Sequence, residues 1–159
     1  RNIATGSIVK RLGIEEGKVL PRPIIEFYLK DDKLNDPIIS EEHIIVFEWA
    51  THSELDEIIS LSTRINDFLT GYFYSQKIRL VDFKIEFGRF WSGQDNSIML
   101  ADEISPDNCR LWDILTNKKL DKDRFRQDLG EVDIAYKEVA YRLGVLSEKE
   151  FKKVLKNDF

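Results

Sequence analysis

Leu80-Val81-Asp82-Phe83-Lys84-Ile85-Glu86-Phe87-Gly88 is the stretch on which the reading of this chain turns. Val81, Phe83, Ile85 and Phe87 alternate with Asp82, Lys84 and Glu86. A period of two predicts one extended strand, with an apolar side against a core and a charged side opposite. Successive charges on that side stand about 6–7 Å apart, at a rise of about 3.3 Å per residue. An acid, an ammonium and an acid in that order form either a solvated outer face or part of a site, and the flanking segments decide between the two.

Downstream, Trp91–Ser97 reads as a hairpin tip between Arg89-Phe90 and Ile98-Met99-Leu100. The returning strand ends in Ala101-Asp102, so Glu86 and Asp102 can converge on one Mg²⁺, which takes a few carboxylates plus phosphate oxygens. Cys109 follows without a histidine beside it, which argues against a nucleophile. Leu120 to Gln127 mixes both charge signs and reads as a solvated helix start. A helix then runs from Glu131 to Gly144, and Ser147 with Glu150 opens a last amphipathic helix through a capping box.

Upstream, Leu55, Ile58, Ile59, Ser62, Ile65, Leu69 and Tyr72 recur at three and four and predict a long helix from Thr51 to about Ser75. Ser53 with Asp56 is its expected capping pair. Phe68, Tyr72, Phe73 and Tyr74 read as core or interface aromatics. Pro21–Leu29 reads as a strand centred on Ile24–Leu29, followed by a turn from Lys30 to Pro37. His43 and His52 lack partners at ligand spacing and read as structural or exposed. Gly6-Ser7 is a turn and N-cap before a short helix, Ile8–Leu12, ended by Gly13. Free N–H groups, a hydroxyl and the positive end of a helix are also the parts of a phosphate site, to which Arg1 could add a bidentate fork.

The chain has 159 residues, 42% hydrophobic and 33% charged, which predicts a single globular α/β unit over 1–159. A net charge of -5 argues against nucleic acid as a partner while leaving room for a local basic pocket. The single cysteine makes a reducing, cytoplasmic setting the default. No apolar run approaches the roughly 20 residues of a membrane span, so no membrane is expected. The opening on Arg1 rather than Met is read as a piece of a longer protein.

Two segments together resemble one family. Arg1-Asn2-Ile3-Ala4-Thr5-Gly6-Ser7 resembles the second half of the first signature of SAICAR synthetase, the purine-pathway ligase, and Leu80–Gly88 resembles its second signature. The similarity continues through Val9–Gly13, Lys30–Pro37, Asp102–Asp107, Arg110–Asp113, Asp123–Gln127 and Tyr141–Gly144, nearly the whole chain. The resemblance implies an α+β fold with an antiparallel sheet flanked by helices, distantly kinase- and ATP-grasp-like. It implies the C-terminal part of a longer chain, without the family's N-terminal lobe over ATP and inactive by itself. The Trp91–Ser97 hairpin is longer than that family leads one to expect, Cys109 replaces a small residue, and the tail from Ser147 goes beyond many bacterial members.

The implied activity joins L-aspartate to the carboxylate of carboxyaminoimidazole ribonucleotide (CAIR) through an acyl phosphate, with ATP as co-substrate and Mg²⁺ as cofactor. By resemblance, Arg1, Ser7 and Arg110, helped by Arg126, bind the 5′-phosphate of the ribonucleotide. Glu86 and Asp102 lie near the nucleotide's Mg²⁺. Lys84 and Asp82 line the reacting end, and Lys30, Asp36 and Asp107 belong to substrate loops. A homodimer is implied on the same ground. Two other readings stay open: a different Mg·ATP-dependent phosphotransferase, and a non-catalytic binding module whose charged strand face is a protein interface.

Overall fold

The computed structural model describes residues 1–126 and 132–157. The fold is α+β, as expected, but its antiparallel pairing falls into three two-stranded ribbons rather than one sheet. The central ribbon pairs β3 (Ile78–Phe83) with β6 (Cys109–Asp113). One of its faces carries Ile78, Leu80, Cys109 and Leu111. These pack against Leu69 and Phe73 of α3 (His52–Ser75) and Ala135 and Val139 of α5 (Val132–Arg142) to make the main core. Val81 and Trp112 lie on the opposite face with Ile3.

The alternation from Leu80 to Gly88 is not that of one strand. Leu80 pairs with Leu111, and the next register pair is Asp82 with Arg110. Val81 is therefore the extra residue of a β-bulge, which changes the parity of everything after it. Phe83 joins Leu80 against the main core, and Asp82 joins Val81 on the other face. Two successive residues share a face, which strict alternation forbids. Lys84 and Ile85 then leave the ribbon, and β4 (Glu86–Trp91) starts a separate hairpin with β5 (Asn96–Ala101). Its tip is shorter than the sequence implies, since Trp91 and Asn96 are still paired.

The bulge also receives the start of the chain. The Val81 carbonyl accepts from the backbone N–H groups of Asn2, at 2.8 Å, and Ile3, at 3.1 Å. The Asn2 side chain donates to the buried Asn66 of α3 at 2.8 Å. Ile24 exchanges backbone hydrogen bonds with Arg1, at 2.7 and 2.9 Å, rather than extending a ladder of its own. Pro21 and Pro23 supply no N–H, so of the strand expected over Pro21–Leu29 only β1 (Phe27–Tyr28) forms. It pairs with β2 (Ile38–Ile39), across a single 3₁₀ turn that Asp31 caps.

α1 (Ser7–Leu12) ends at Gly13 in the left-handed conformation, as expected, but its N-cap is Gly6 rather than Ser7. α3 starts at a Thr51–Glu54 capping box, two residues before the expected Ser53–Asp56 pair. Phe73 is its buried aromatic, while Phe68, Tyr72 and Tyr74 are exposed. His43 closes the capping box of α2 (Glu41–Val46). Ser147 and Glu150 cap α6 (Glu148–Asn157) as the sequence predicts. The expected helix start at Glu131 lies outside the described residues.

Leu111 is fully buried at the centre of the main core. Leu111→Ala should destabilise the protein by about 2–5 kcal/mol, the usual cost of a lost core side chain and the cavity it leaves. Urea unfolding checks this: the midpoint should fall with the slope unchanged.

Candidate functional site

A cleft of about 550 Å³ opens beside the bulge, at the end of the central ribbon that carries Asp82, Phe83, Cys109 and Arg110. Asp82 sits in its wall, only 5% exposed. One of its oxygens accepts from Arg1 Nη1 at 2.7 Å and from Arg110 Nη1 at 2.9 Å; the other accepts from Arg110 Nη1 at 3.0 Å. Arg110 is its cross-strand neighbour, and Arg1 is delivered to it by the segment docked on Val81. One carboxylate is thus shared by two guanidinium groups that lie far apart in sequence.

Each arginine has a second acidic partner. Arg1 Nε donates to Glu26 at 2.6 Å, and its Nη2 reaches the hydroxyls of Tyr28 and Ser7, both at 3.3 Å. Arg11 also pairs with Glu26. Burial would lower the pKa of Arg1, but the hydrogen bonds to Glu26 and Tyr28 and the charge of Asp82 hold it above the ordinary value. Arg110 Nε donates to Asp123 at 2.6 Å, and the charges of Asp82 and Asp123 likewise outweigh its desolvation. Gly6, at φ 66°, lies against this guanidinium, and a Cβ there would stand 2.9 Å from Arg110 Nη2. Only glycine combines that backbone angle with so close an approach.

Arg1, Ser7 and Arg110 therefore converge as the sequence leads one to expect. Asp36, Lys84 and Asp107 line the same cleft. Lys84 Nζ donates to Asp36 at 2.7 Å and holds that carboxyl below its usual range. Asp107 accepts from Tyr136 at 2.9 Å and lies 3.4 Å from Lys122 Nζ.

Glu86 and Asp102 do not join them. The break after Phe83 carries Glu86 onto the separate hairpin, outside the cleft lining, so the three charges of the central stretch do not look into one cavity. Glu86 pairs in register with Ala101, which leaves Asp102 one residue beyond it. Lys30 Nζ lies 2.6 Å from both Glu86 oxygens. The Lys30 ammonium is held above its ordinary range by the Glu86 hydrogen bond, and Asp102 adds attraction. Among the described residues no three His, Cys, Asp or Glu side chains form a metal-binding group. Glu86 and Asp102 carry hard carboxylate oxygens, the ligand type Mg²⁺ takes, but the Lys30 ammonium occupies both Glu86 oxygens and a dication there would have to displace it. Arg126 ends α4 (Asp123–Arg126), and its side chain lies outside what the structure describes.

Four residues escape the sequence reading. Glu26 and Tyr28 hold Arg1; the signal was a lone acid inside an apolar run. In sequence Asp121 and Asp123 read as part of a solvated helix start, yet they are 1% and 3% exposed. Both Asp121 oxygens accept backbone N–H groups, from Leu111 at 2.7 Å and Asp123 at 2.8 Å. Burial pushes the Asp121 carboxyl up to about 6 against those two bonds.

This arrangement has relatives. The family model described as SAICAR synthetase matches residues 1–143. The chain belongs to the SAICAR synthetase family. It is 63% identical over 148 residues to a phosphoribosylaminoimidazole-succinocarboxamide synthase of Gluconacetobacter diazotrophicus, covering 93% of this chain and 58% of that protein. A similar relation, 64% identity over 148 residues, with 93% and 58% coverage, holds for the same enzyme of Acidiphilium cryptum. The crystal structure of the Ehrlichia chaffeensis synthase superposes with a TM-score of 0.89 at 51% identity, over 93% of this chain and 62% of the other. A SAICAR synthetase solved in complex with ADP superposes with a TM-score of 0.85 at 45% identity, over 90% of this chain and 60% of that one. The chain spans less than two thirds of the length of these relatives. Among the described residues no helix is long and apolar enough to cross a membrane.

Cys109 is the family member's single cysteine and lies at the cleft wall, only 2% exposed. Burial, aided by the nearby charge of Asp82, pushes its thiol up to about 12. A thiol raised that far is protonated at pH 8 and unreactive. A disulfide reagent should therefore release almost no chromophore from the native protein at pH 8 and one equivalent after unfolding. Stoichiometric reaction in the native state would contradict this protection.

Proposed function

We propose that the whole protein carrying this chain is an ATP-dependent carbon–nitrogen ligase that joins L-aspartate to CAIR, and that this chain supplies the ribonucleotide half of the site. The convergence of Arg1, Ser7 and Arg110 in one cleft carries the reading. They are separated by up to 109 positions in sequence, yet Arg1 contacts Ser7 and shares Asp82 with Arg110. A pair of planar forks beside a hydroxyl is a geometry that recognises a phosphate ester.

The chemical difficulty is that a carboxylate resists attack by an amine, since it is negatively charged and has no good leaving group. Transfer of the γ-phosphoryl group of ATP to the CAIR carboxylate gives an acyl phosphate. The aspartate amine attacks its carbonyl carbon, and phosphate leaves. Positioning and charge neutralisation do most of the work in such a reaction.

Arg1, Ser7 and Arg110 hold the 5′-phosphate, with Arg126 as an added cation. Lys84 places an ammonium at the reacting end. Asp82 belongs to the same end and keeps both forks aligned. Asp36 and Asp107, each already bonded to a cation or a hydroxyl, orient substrate groups at the cleft rim, with Lys30 on the adjoining loop. Glu86 and Asp102 would hold Mg²⁺, whose charge offsets that of the ATP phosphates. The complex of a relative with ADP supports a nucleotide as co-substrate. A homodimer is the proposed assembly, on the family likeness alone.

ADP release by the whole protein should require CAIR and L-aspartate together. Release with neither, or with an unrelated hydroxyl acceptor, would replace the ligase with a phosphotransferase. Mg·ATP failing to bind a well-folded protein would favour the non-catalytic module. Arg110→Ala should weaken CAIR binding by roughly 1.5–3 kcal/mol, the worth of a hydrogen bond to a charged group. Steady-state kinetics check this through a raised Michaelis constant for CAIR.

A further inference from the structure

Arg110 carries three nitrogens, and two of them are taken before any ligand arrives. Nε donates to Asp123 Oδ2 at 2.6 Å, and Nη1 donates to Asp82 at 2.9 and 3.0 Å. The planar group cannot turn about its Cδ–Nε bond without breaking the contact with Asp82, nor swing away without breaking that with Asp123. The third nitrogen, Nη2, lies against Gly6, where a Cβ would stand 2.9 Å from it, and Ser7 is the next residue. The position of this remaining nitrogen is therefore fixed by two carboxylates that hold the other two.

Asp123 is not simply a nearby charge. It is the first residue of α4, and its side chain is 4% exposed. Its backbone N–H donates to Asp121 Oδ1 at 2.8 Å, while Asp121 Oδ2 accepts from the backbone N–H of Leu111 at 2.7 Å. Leu111 directly follows Arg110. A single buried carboxylate thus ties the strand that carries Arg110 to the turn that carries its anchor. The separation of arginine and anchor is set by two short hydrogen bonds from backbone N–H groups to this one buried carboxylate.

We propose that Asp123 is a positioning residue for Arg110, fastened in turn by Asp121, and that it pre-forms the arginine fork for the phosphate monoester. The inference rests on the reading of Arg110 as a phosphate ligand. An arginine side chain has large rotamer freedom, and a fork already locked in place loses less of it on binding. Asp123 itself does not touch the ligand; it acts through Arg110.

The test is calorimetric titration of the whole protein with ribose 5-phosphate and, separately, with ADP. Four forms are compared: unaltered protein, Arg110→Ala, Asp123→Ala and the double variant. Asp123→Ala should weaken ribose 5-phosphate about tenfold, on the scale of one oriented charge-assisted hydrogen bond. The loss should vanish on the Arg110→Ala background, because a residue acting through another has nothing left to act on. ADP affinity should be unchanged, which a general loosening of the fold would not allow. If circular dichroism shows Asp123→Ala unfolded, Asp123→Asn takes its place, with a smaller loss in the same pattern. Unchanged affinity for ribose 5-phosphate in the Asp123 variant, the same loss on both backgrounds, or equal loss for ADP would each overturn the proposal. Arg110→Ala binding ribose 5-phosphate as tightly as the unaltered protein would instead overturn the phosphate reading itself.

Discussion

The Asp82 carboxylate, shared between Arg1 and Arg110, is the interaction around which the cleft is built. Two guanidinium groups brought this close repel one another unless an anion lies between them. Asp82 is that anion, and it is almost wholly buried. A buried charge is tolerable only when it is paired and hydrogen-bonded. Asp82 meets this condition through three contacts to two arginines, and each arginine meets it again through Glu26 or Asp123. The result is a chain of alternating signs, Arg11–Glu26–Arg1–Asp82–Arg110–Asp123, whose four middle members line the cleft. Its charges nearly balance before ligand arrives, so the arginines can be held in place without a large uncompensated field.

The backbone arranges this wall through one irregularity. A regular β3 would place Asp82 on the face of Leu80, against the main core. The extra residue at Val81 moves it to the opposite face, beside Arg110. The same bulge leaves the Val81 carbonyl to receive Asn2 and Ile3, and so sets Arg1 beside Asp82. Bulges are common where a strand must re-aim a side chain near a site. Here a single bulge orients both the acid and the segment that brings its second arginine.

Much of the helical frame was legible in the chain. The stripe through Leu55 and Leu69 marks α3, and Ser147 with Glu150 marks α6, because both signals are local and depend on spacings of three and four. Caps slip by a residue or two for the same reason: Thr51–Glu54 and Ser53–Asp56 offer the same chemistry, and packing chooses. The strands were harder. The prolines at 21 and 23 limit a ladder, but only the docked Arg1 segment shows where the Ile24 backbone groups go. Asp121 and Asp123 look like ordinary surface charge in sequence, since nothing local says that Leu111 and Arg110 will cover them.

The sequence by itself determined the residue types of the site, the family to which they belong, and the expectation that Arg1, Ser7 and Arg110 act together. Those follow from motifs whose order and spacing survive without coordinates. Only the tertiary structure decided that Asp82 and Glu86, four positions apart, serve different places, one walled in by arginines and the other on a hairpin with Lys30. Side-chain direction in a strand depends on unbroken parity, and parity is lost at a bulge that no local pattern announces. A bulge is selected by what docks on it, and that partner lies some 80 residues away.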